Sequence, residues 1–180
     1  MSSQVLPQSF NFEGQVALVT GSGRGLGRMI AETLLKGGAA VALHDINEEA
    51  PSAFGESPSL TALAATLSQR GGARVTSVTG DISREDDVAA MVKKVEAQLG
   101  PISILVNCAG GDIAAQGGKP NPNDALNISL EDATAVMNRN FFGTMLMCRA
   151  VVPGMIERQR GTVINFGSLN GHVGVSPEVV

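Results

Sequence analysis

Gly21, Gly25 and Gly27, within Thr20-Gly-Ser-Gly-Arg-Gly-Leu-Gly27, form a glycine turn between an apolar run and a helical pattern. Glycine lets backbone N–H groups approach a pyrophosphate closely, and the helix that follows offers its positive end. The spacing Gly-x-x-x-Gly-x-Gly is neither Gly-x-Gly-x-x-Gly nor a P-loop, since Leu26-Gly27 stands where the latter needs Gly-Lys. Glycines also mark turns that hold no ligand, so the pattern gains its meaning from a partner. Asp45 ends the next apolar run, where a carboxylate can accept hydrogen bonds from the adenosine ribose hydroxyls. The same residue also fits an ordinary loop aspartate or a turn cap. As a ribose ligand it repels a 2′-phosphate, which favours NAD over NADP. Arg24 points the other way: a guanidinium in the turn either pairs a 2′-phosphate bidentately or meets solvent and the pyrophosphate region.

Alternating elements must position these groups. Val16–Thr20 is short, valine-rich and not alternating, which suits a strand covered on both faces. Leu26, Ile30, Leu34 and Leu35 share one face of a helix that stops at Gly37-Gly38. Ala40–Asp45 is a second strand, and the polar stretch Ile46–Ser57, with Pro51 and Gly55, reads as a surface excursion before a helix over Ser59–Arg70. Arg74–Thr79 is a third strand. Ser83 with Asp86 resembles a capping box for a helix whose apolar face is Val88, Met91, Val92 and Val95, ending at Gly100-Pro101. Ile102–Asn107 is a fourth strand, followed by a loop rich in Gly, Pro and Asn over Cys108–Ile128. Ser129 caps a helix entered through Glu131 and Asp132, bent near Asn140 to Gly143 and reaching toward Gln159. Met137, Met145 and Met147 recur on it at helical spacing as core or interface filler. Thr162–Phe166 is a fifth strand and Gly167–Val180 is loop-like. This alternation predicts an α/β fold, a doubly wound parallel sheet of Rossmann-like type with at least five strands, in one dinucleotide-binding domain over residues 1–180.

Composition narrows the partners. A net charge of −4 without a basic stripe argues against nucleic acid, and 43% hydrophobic residues suffice for one sizeable core. Met1–Glu13 lacks a charged-then-apolar signal pattern, and no run approaches the roughly 18 apolar residues that span a bilayer. A cytoplasmic protein with no membrane partner is expected. Cys108 and Cys148 are too few for a disulfide framework and lack metal-ligand spacing, so reduced thiols and no metal are expected.

The ordered motifs resemble those of the short-chain dehydrogenase/reductase family from Gln15 to Ser176. Thr20-Gly-x-x-x-Gly-x-Gly is similar to that family's cofactor turn, implying contacts from Thr20, Gly21, Ser22, Arg24, Gly25, Leu26 and Gly27, with Asp45 and Ile46 beside the adenosine. Gly80-Asp81-Ile82 resembles its acidic position after the third strand: Asp81 would meet the adenine amino group and the Ile82 backbone the ring, the alternative for Asp81 being a helix entry. Asn107-Cys108-Ala109-Gly110 is similar to the family's Asn-Asn-Ala-Gly, so Asn107, Ala109 and Gly110 would line the cofactor, with Cys108 in place of the second Asn. Asn140-Phe-Phe-Gly143 resembles the helix-interrupting Asn motif, in which Asn140 would help hold a water of the proton relay; alone, Asn140 reads as a helix-terminating residue. Gly161–Ser168 looks like the fifth strand and the catalytic serine turn, so Ser168 would polarise a substrate carbonyl or alcohol.

The resemblance implies hydride transfer between NAD(H) and a secondary alcohol or ketone, with a tyrosine as proton donor or acceptor. A lysine one helical turn beyond it lowers the tyrosine pKa. The 180 residues contain no Tyr, so the relay is absent from this sequence and the chain is expected to be inactive alone, its C-terminal part missing. The fifth strand would then be an unpaired edge with apolar surface uncovered. His172 and His44 are weak substitutes, read respectively as a loop histidine and as one against the cofactor edge or solvent. A binding or sensing module holding NAD(P) without turnover is the alternative, and a methyltransferase fits the spacing poorly. The intact enzyme is expected to be a homodimer or homotetramer through the long helix, and the substrate identity stays open.

Overall fold

In the computed structural model, which describes residues 10–71 and 74–169, every strand pairing is parallel. The elements alternate as β1 (Val16–Val19), α1 (Gly25–Lys36), β2 (Ala40–Asp45), α2 (Leu60–Gly71), β3 (Val75–Thr79), α3 (Glu85–Leu99) and β4 (Ile104–Asn107). After a long loop come α4 (Leu130–Met137), a π-helical segment (Asn138–Phe142), α5 (Gly143–Glu157) and β5 (Thr162–Asn165). The sheet order is β3-β2-β1-β4-β5. This is the Rossmann-like arrangement, with a topological switch between β1 and β4.

The apolar runs of β1, β2 and β4 do not alternate because both faces of the sheet are covered there. Leu18, Ala42, Val78 and Leu105 pack with Val88, Met91, Val95, Met147 and Val151 of α3 and α5. On the other face Ala17, Val19, Val41, Leu43 and Val106 pack with Ala31, Leu34, Leu35, Leu63 and Leu67 of α1 and α2. Successive strand residues therefore feed different cores, as a period of two demands.

Several expectations change. Leu26 is 48% exposed, because the buried face of α1 is Gly27, Ala31, Leu34 and Leu35. Ser83 does not close a capping box with Asp86: the Asp81 carboxylate accepts from Ser83 N and Oγ, while Asp87 accepts from Asp81 N. The helix consequently starts at Glu85, with Arg84 at its N-cap. Ser129 does cap α4, accepting from Asp132 N at 3.0 Å. Only Met147 of the three methionines is fully buried; Met137 and Met145 lie on an exposed apolar surface with Phe141 and Phe142. The bend expected near Asn140 is the π-helical segment. Every residue of β5 is exposed, and among the described residues β5 pairs with β4 alone. His172 lies outside the described residues.

Candidate functional site

The C-terminal ends of β1 and β4 meet at the switch point, and Thr20 joins them. Its buried Oγ1 accepts from Cys108 N and Ala109 N, both at 3.0 Å, and donates to Val106 O at 3.4 Å. Gly21, at φ +64°, presses against the same turn, where an added Cβ would stand 2.8 Å from Ala109 Cα. Gly27 carries the helix over the turn: its Cβ would fall 2.3 Å from Gly21 O. Only glycine permits this approach of helix to turn.

The second side of the site is tied to β2. Ser22 is buried, with Oγ accepting from His44 N at 2.9 Å and its own N–H donating to His44 O at 2.8 Å. Asp45 Oδ2 accepts from Gly23 N at 3.1 Å and Oδ1 from Ile46 N at 2.9 Å. The carboxylate is thus held at the rim of the glycine turn, beside the exposed Ile46. The stretch after β2 is no free excursion. Arg28 on α1 binds Glu56 Oε2 at 2.7 Å, Pro51 is buried, and Gly23 has no room for a Cβ between Asp45 and Pro51.

His44 is the residue the sequence reading misplaced. It is 2% exposed, packed inside rather than against a ligand or solvent. Its Nε2 faces Gly80 O at 3.0 Å, which makes Nε2 the protonated nitrogen, and Nδ1 accepts from Gly21 N at 3.4 Å. One imidazole therefore links the glycine turn to the end of β3. Burial lowers its pKa below the ordinary value near 6.5, against the raising effects of the Gly80 carbonyl, Asp45 and Asp81. The unfolded chain then binds the proton first, so the native state loses stability as pH falls below about 6.5, by at most ~1.4 kcal/mol per pH unit. Melting of wild type and His44→Asn between about pH 8 and pH 5 should show this extra acid sensitivity in wild type alone.

Other candidates are placed as follows. The Asp81 carboxylate uses one oxygen on Ser83, the helix-entry role, and Ile82 is buried, packed where a Gly143 Cβ would go. Asn107 donates to Asn165 Oδ1 at 2.8 Å and toward Cys148 Sγ at 3.5 Å, joining β4 to β5, while its buried Oδ1 has no partner. Cys108 keeps its backbone role through Thr20, and burial raises the pKa of its thiol, so it is no ready nucleophile. Asn140 clasps the loop after β4: Oδ1 accepts from Gly111 N at 2.8 Å, and Nδ2 donates to Gly111 O and Val136 O, both at 2.9 Å. That clasp uses the close approach of Gly110, whose Cβ would stand 2.6 Å from Asn140 Oδ1. Ser168 is exposed beyond β5. Thr20, Ala109 and Ser168 follow the carboxyl ends of β1, β4 and β5, Asp45 closes β2, and Asn140 is tied to the loop after β4 through Gly111, at the end where open α/β sheets bind ligands.

A cavity of about 550 Å³ lies at the opposite end of the sheet, where the strands begin, lined by Gln15, Ser103, Arg74, Arg158 and Arg160. Arg74 donates to Gln98 O and Leu99 O and Arg158 to Ile102 O, so two of its cations complement carbonyls at and just beyond the end of α3. Among the described residues, no group of three or more His, Cys, Asp or Glu is placed to hold a metal, and no helix is long and apolar enough to cross a membrane.

Fold and strand-end geometry define a Rossmann-like protein. Residues 15–180 match the family model for short chain dehydrogenase, and the chain belongs to that family. It is similar to 2-(S)-hydroxypropyl-CoM dehydrogenase 3 of Xanthobacter autotrophicus, at 33% identity over 93% of this chain and 58% of that protein. D-threitol dehydrogenase of Mycolicibacterium smegmatis is 34% identical over 94% of this chain and 58% of its own length. A crystal structure from Sinorhizobium meliloti 1021, described as a short-chain alcohol dehydrogenase, superposes with a TM-score of 0.77. Its identity is 24%, over 93% of this chain and 60% of that one, which speaks for the fold. The chain thus spans less than two thirds of the length of these relatives.

Proposed function

We propose that this chain is the dinucleotide-binding part of an NAD-dependent short-chain dehydrogenase acting on a secondary alcohol or ketone. The observation that carries the reading is Asp45, fixed at the rim of the glycine turn by the Gly23 and Ile46 N–H groups. The residues present fit a dinucleotide. Helix α1 begins with no side-chain cap and no acid in its first turn, leaving its N–H groups for a pyrophosphate. Gly25, at φ +54°, has nothing within 4 Å of an added Cβ, so the turn is open there.

In this reading the turn from Gly21 to Gly27 borders the pyrophosphate, which the N–H groups at the start of α1 hold, Asp45 accepts from the adenosine ribose, and Asp81, Ile82, Asn107, Ala109 and Gly110 border the adenine and nicotinamide sides. When bound, the nicotinamide supplies or accepts the hydride. Ser168 orients the substrate oxygen, while Asn140 keeps the loop after β4 against the π-helical segment. The 180 residues hold no tyrosine, so by itself this chain binds the dinucleotide without turnover. That composition also favours the second reading, a binding or sensing module. Residues 1–180 are one domain, the protein is cytoplasmic, and the working enzyme is a homodimer or homotetramer through the apolar surface around Phe141, Phe142 and Met145. A panel of secondary alcohols should give no nicotinamide reduction with this chain, and measurable turnover would refute its inactivity.

Titration with NADH and NADPH tests the cofactor. NADH should bind more tightly, and Asp45→Ala should weaken NADH about tenfold or more, the effect of losing hydrogen bonds to a charged acceptor, while affecting NADPH less. Tighter NADPH binding by the wild type would overturn the choice of NAD.

A further inference from the structure

Arg24 is the one cation between Thr20 and Gly27, hence the side chain of the turn suited to a 2′-phosphate. In the structure it is stacked on an aromatic ring. Its guanidinium carbon stands 3.7 Å from the centre of the Phe54 ring. Among the described residues, no carboxylate lies within ion-pair distance of it.

The ring is held in place by its own segment. Phe54 ends a 3-10 turn, Ser52–Phe54, closed by Ser52 N and Oγ donating to Glu49 O at 2.9 and 2.8 Å. The segment is anchored on one side by Arg28, which reaches Glu56 O and Oε2, and on the other by Leu60 N donating to Glu48 O at 3.0 Å. Pro51 stands against the glycine turn, 2.9 Å from where a Gly23 Cβ would be. Phe54 is nevertheless 60% exposed, so its ring contributes little to the core and leaves its face to the guanidinium.

Resting on the NAD reading above, we propose that Phe54 is a cofactor-specificity residue that acts by holding Arg24. The stacked guanidinium is kept on the wall formed after β2. A 2′-phosphate entering beside Asp45 meets a carboxylate, and engaging Arg24 to offset it forfeits the cation–π contact. The 2′-hydroxyl of NAD makes no such demand. Phe54 thus adds to the discrimination that Asp45 begins.

The test is a double-mutant cycle on the 180-residue chain, read by fluorescence titration with NADH and with NADPH. Phe54→Ala should raise the NADPH-to-NADH affinity ratio by about two- to fivefold, the size of an exposed cation–π contact. Phe54→Leu, which keeps apolar bulk without an aromatic face, should shift the ratio in the same direction. In an Arg24→Ala background, Phe54→Ala should leave the ratio unchanged. A ratio that is constant or falls on Phe54→Ala, or that rises equally without Arg24, overturns the proposal. The wild-type preference is a separate readout: tighter NADPH binding overturns the NAD reading while the cycle still reports on Phe54. Binding of neither cofactor overturns both.

Discussion

Gly27→Ala is expected to lower the melting temperature by roughly 6–12 °C and to abolish dinucleotide binding. The added methyl would sit 2.3 Å from Gly21 O, 2.9 Å from Gly21 C and 3.2 Å from Ser22 Cα, all backbone atoms. No flexible side chain can yield. Relief requires lifting α1 from the turn, and with it the N–H groups proposed to hold the pyrophosphate. Overpacking costs typically ~1–3 kcal/mol, and a clash with a fixed main chain belongs at or above the top of that range. Gly25→Ala is the internal comparison. Its Cβ would meet nothing within 4 Å, and only its φ of +54° penalises a side chain, so about 1 kcal/mol is expected. Thermal melts of the two variants, with NADH titrations, check both the size and the order. Equal effects would mean that the turn relaxes more freely than its packing implies.

The contrast between these glycines shows what a sequence can and cannot disclose. Their spacing announced a turn before a helix, because glycine is used where backbone geometry or closeness excludes a Cβ. Whether each one answers a strained φ or a close neighbour depends on which chain segment arrives there. The first strand was legible for a similar reason: a valine-rich run before a glycine break, without alternation, demands cover on both faces, and the two cores supply it. Alternation of strands and helices predicted a parallel, doubly wound sheet, and the assembled fold supplied the order β3-β2-β1-β4-β5.

Side-chain partners distant in sequence were not legible. His44 looks like an ordinary polar residue near a strand end, yet its two nitrogens meet Gly21 and Gly80, brought together only by the parallel pairing of β2 with its neighbours. Leu26 fits an apolar helical stripe but lies in the first turn of α1, at the rim of the glycine cradle, where the core does not reach. The stretch after β2 has the composition of a surface loop, and nothing local reveals that Arg28 and Pro51 fasten it to the turn. For the candidate site, residue types and order were readable. The hydrogen bonds that fix Asp45 and spend Asn140 on Gly111 required the assembled sheet.

Thr20→Val should cost about 2–4 kcal/mol, although it replaces a residue by one of nearly the same shape. Thr20 is fully buried, and its hydroxyl oxygen accepts two N–H groups, from Cys108 and Ala109, while donating to Val106 O. A hydroxyl has one donor and two acceptor sites, so all of its capacity is committed. Valine would leave both amides without an acceptor where the turn after β4 packs on the glycine turn, at about 1–2 kcal/mol for each. A melting-temperature loss of roughly 4–16 °C follows from that penalty in a chain of this size. NADH affinity should fall as well, because the turn after β4 would no longer be fixed against Gly21. Thr20→Ser keeps the oxygen and removes only a methyl, so it should retain most of the stability and the binding. If valine were tolerated as well as serine, the two amides would have to find other acceptors, and the hydroxyl would not be what joins β1 to β4.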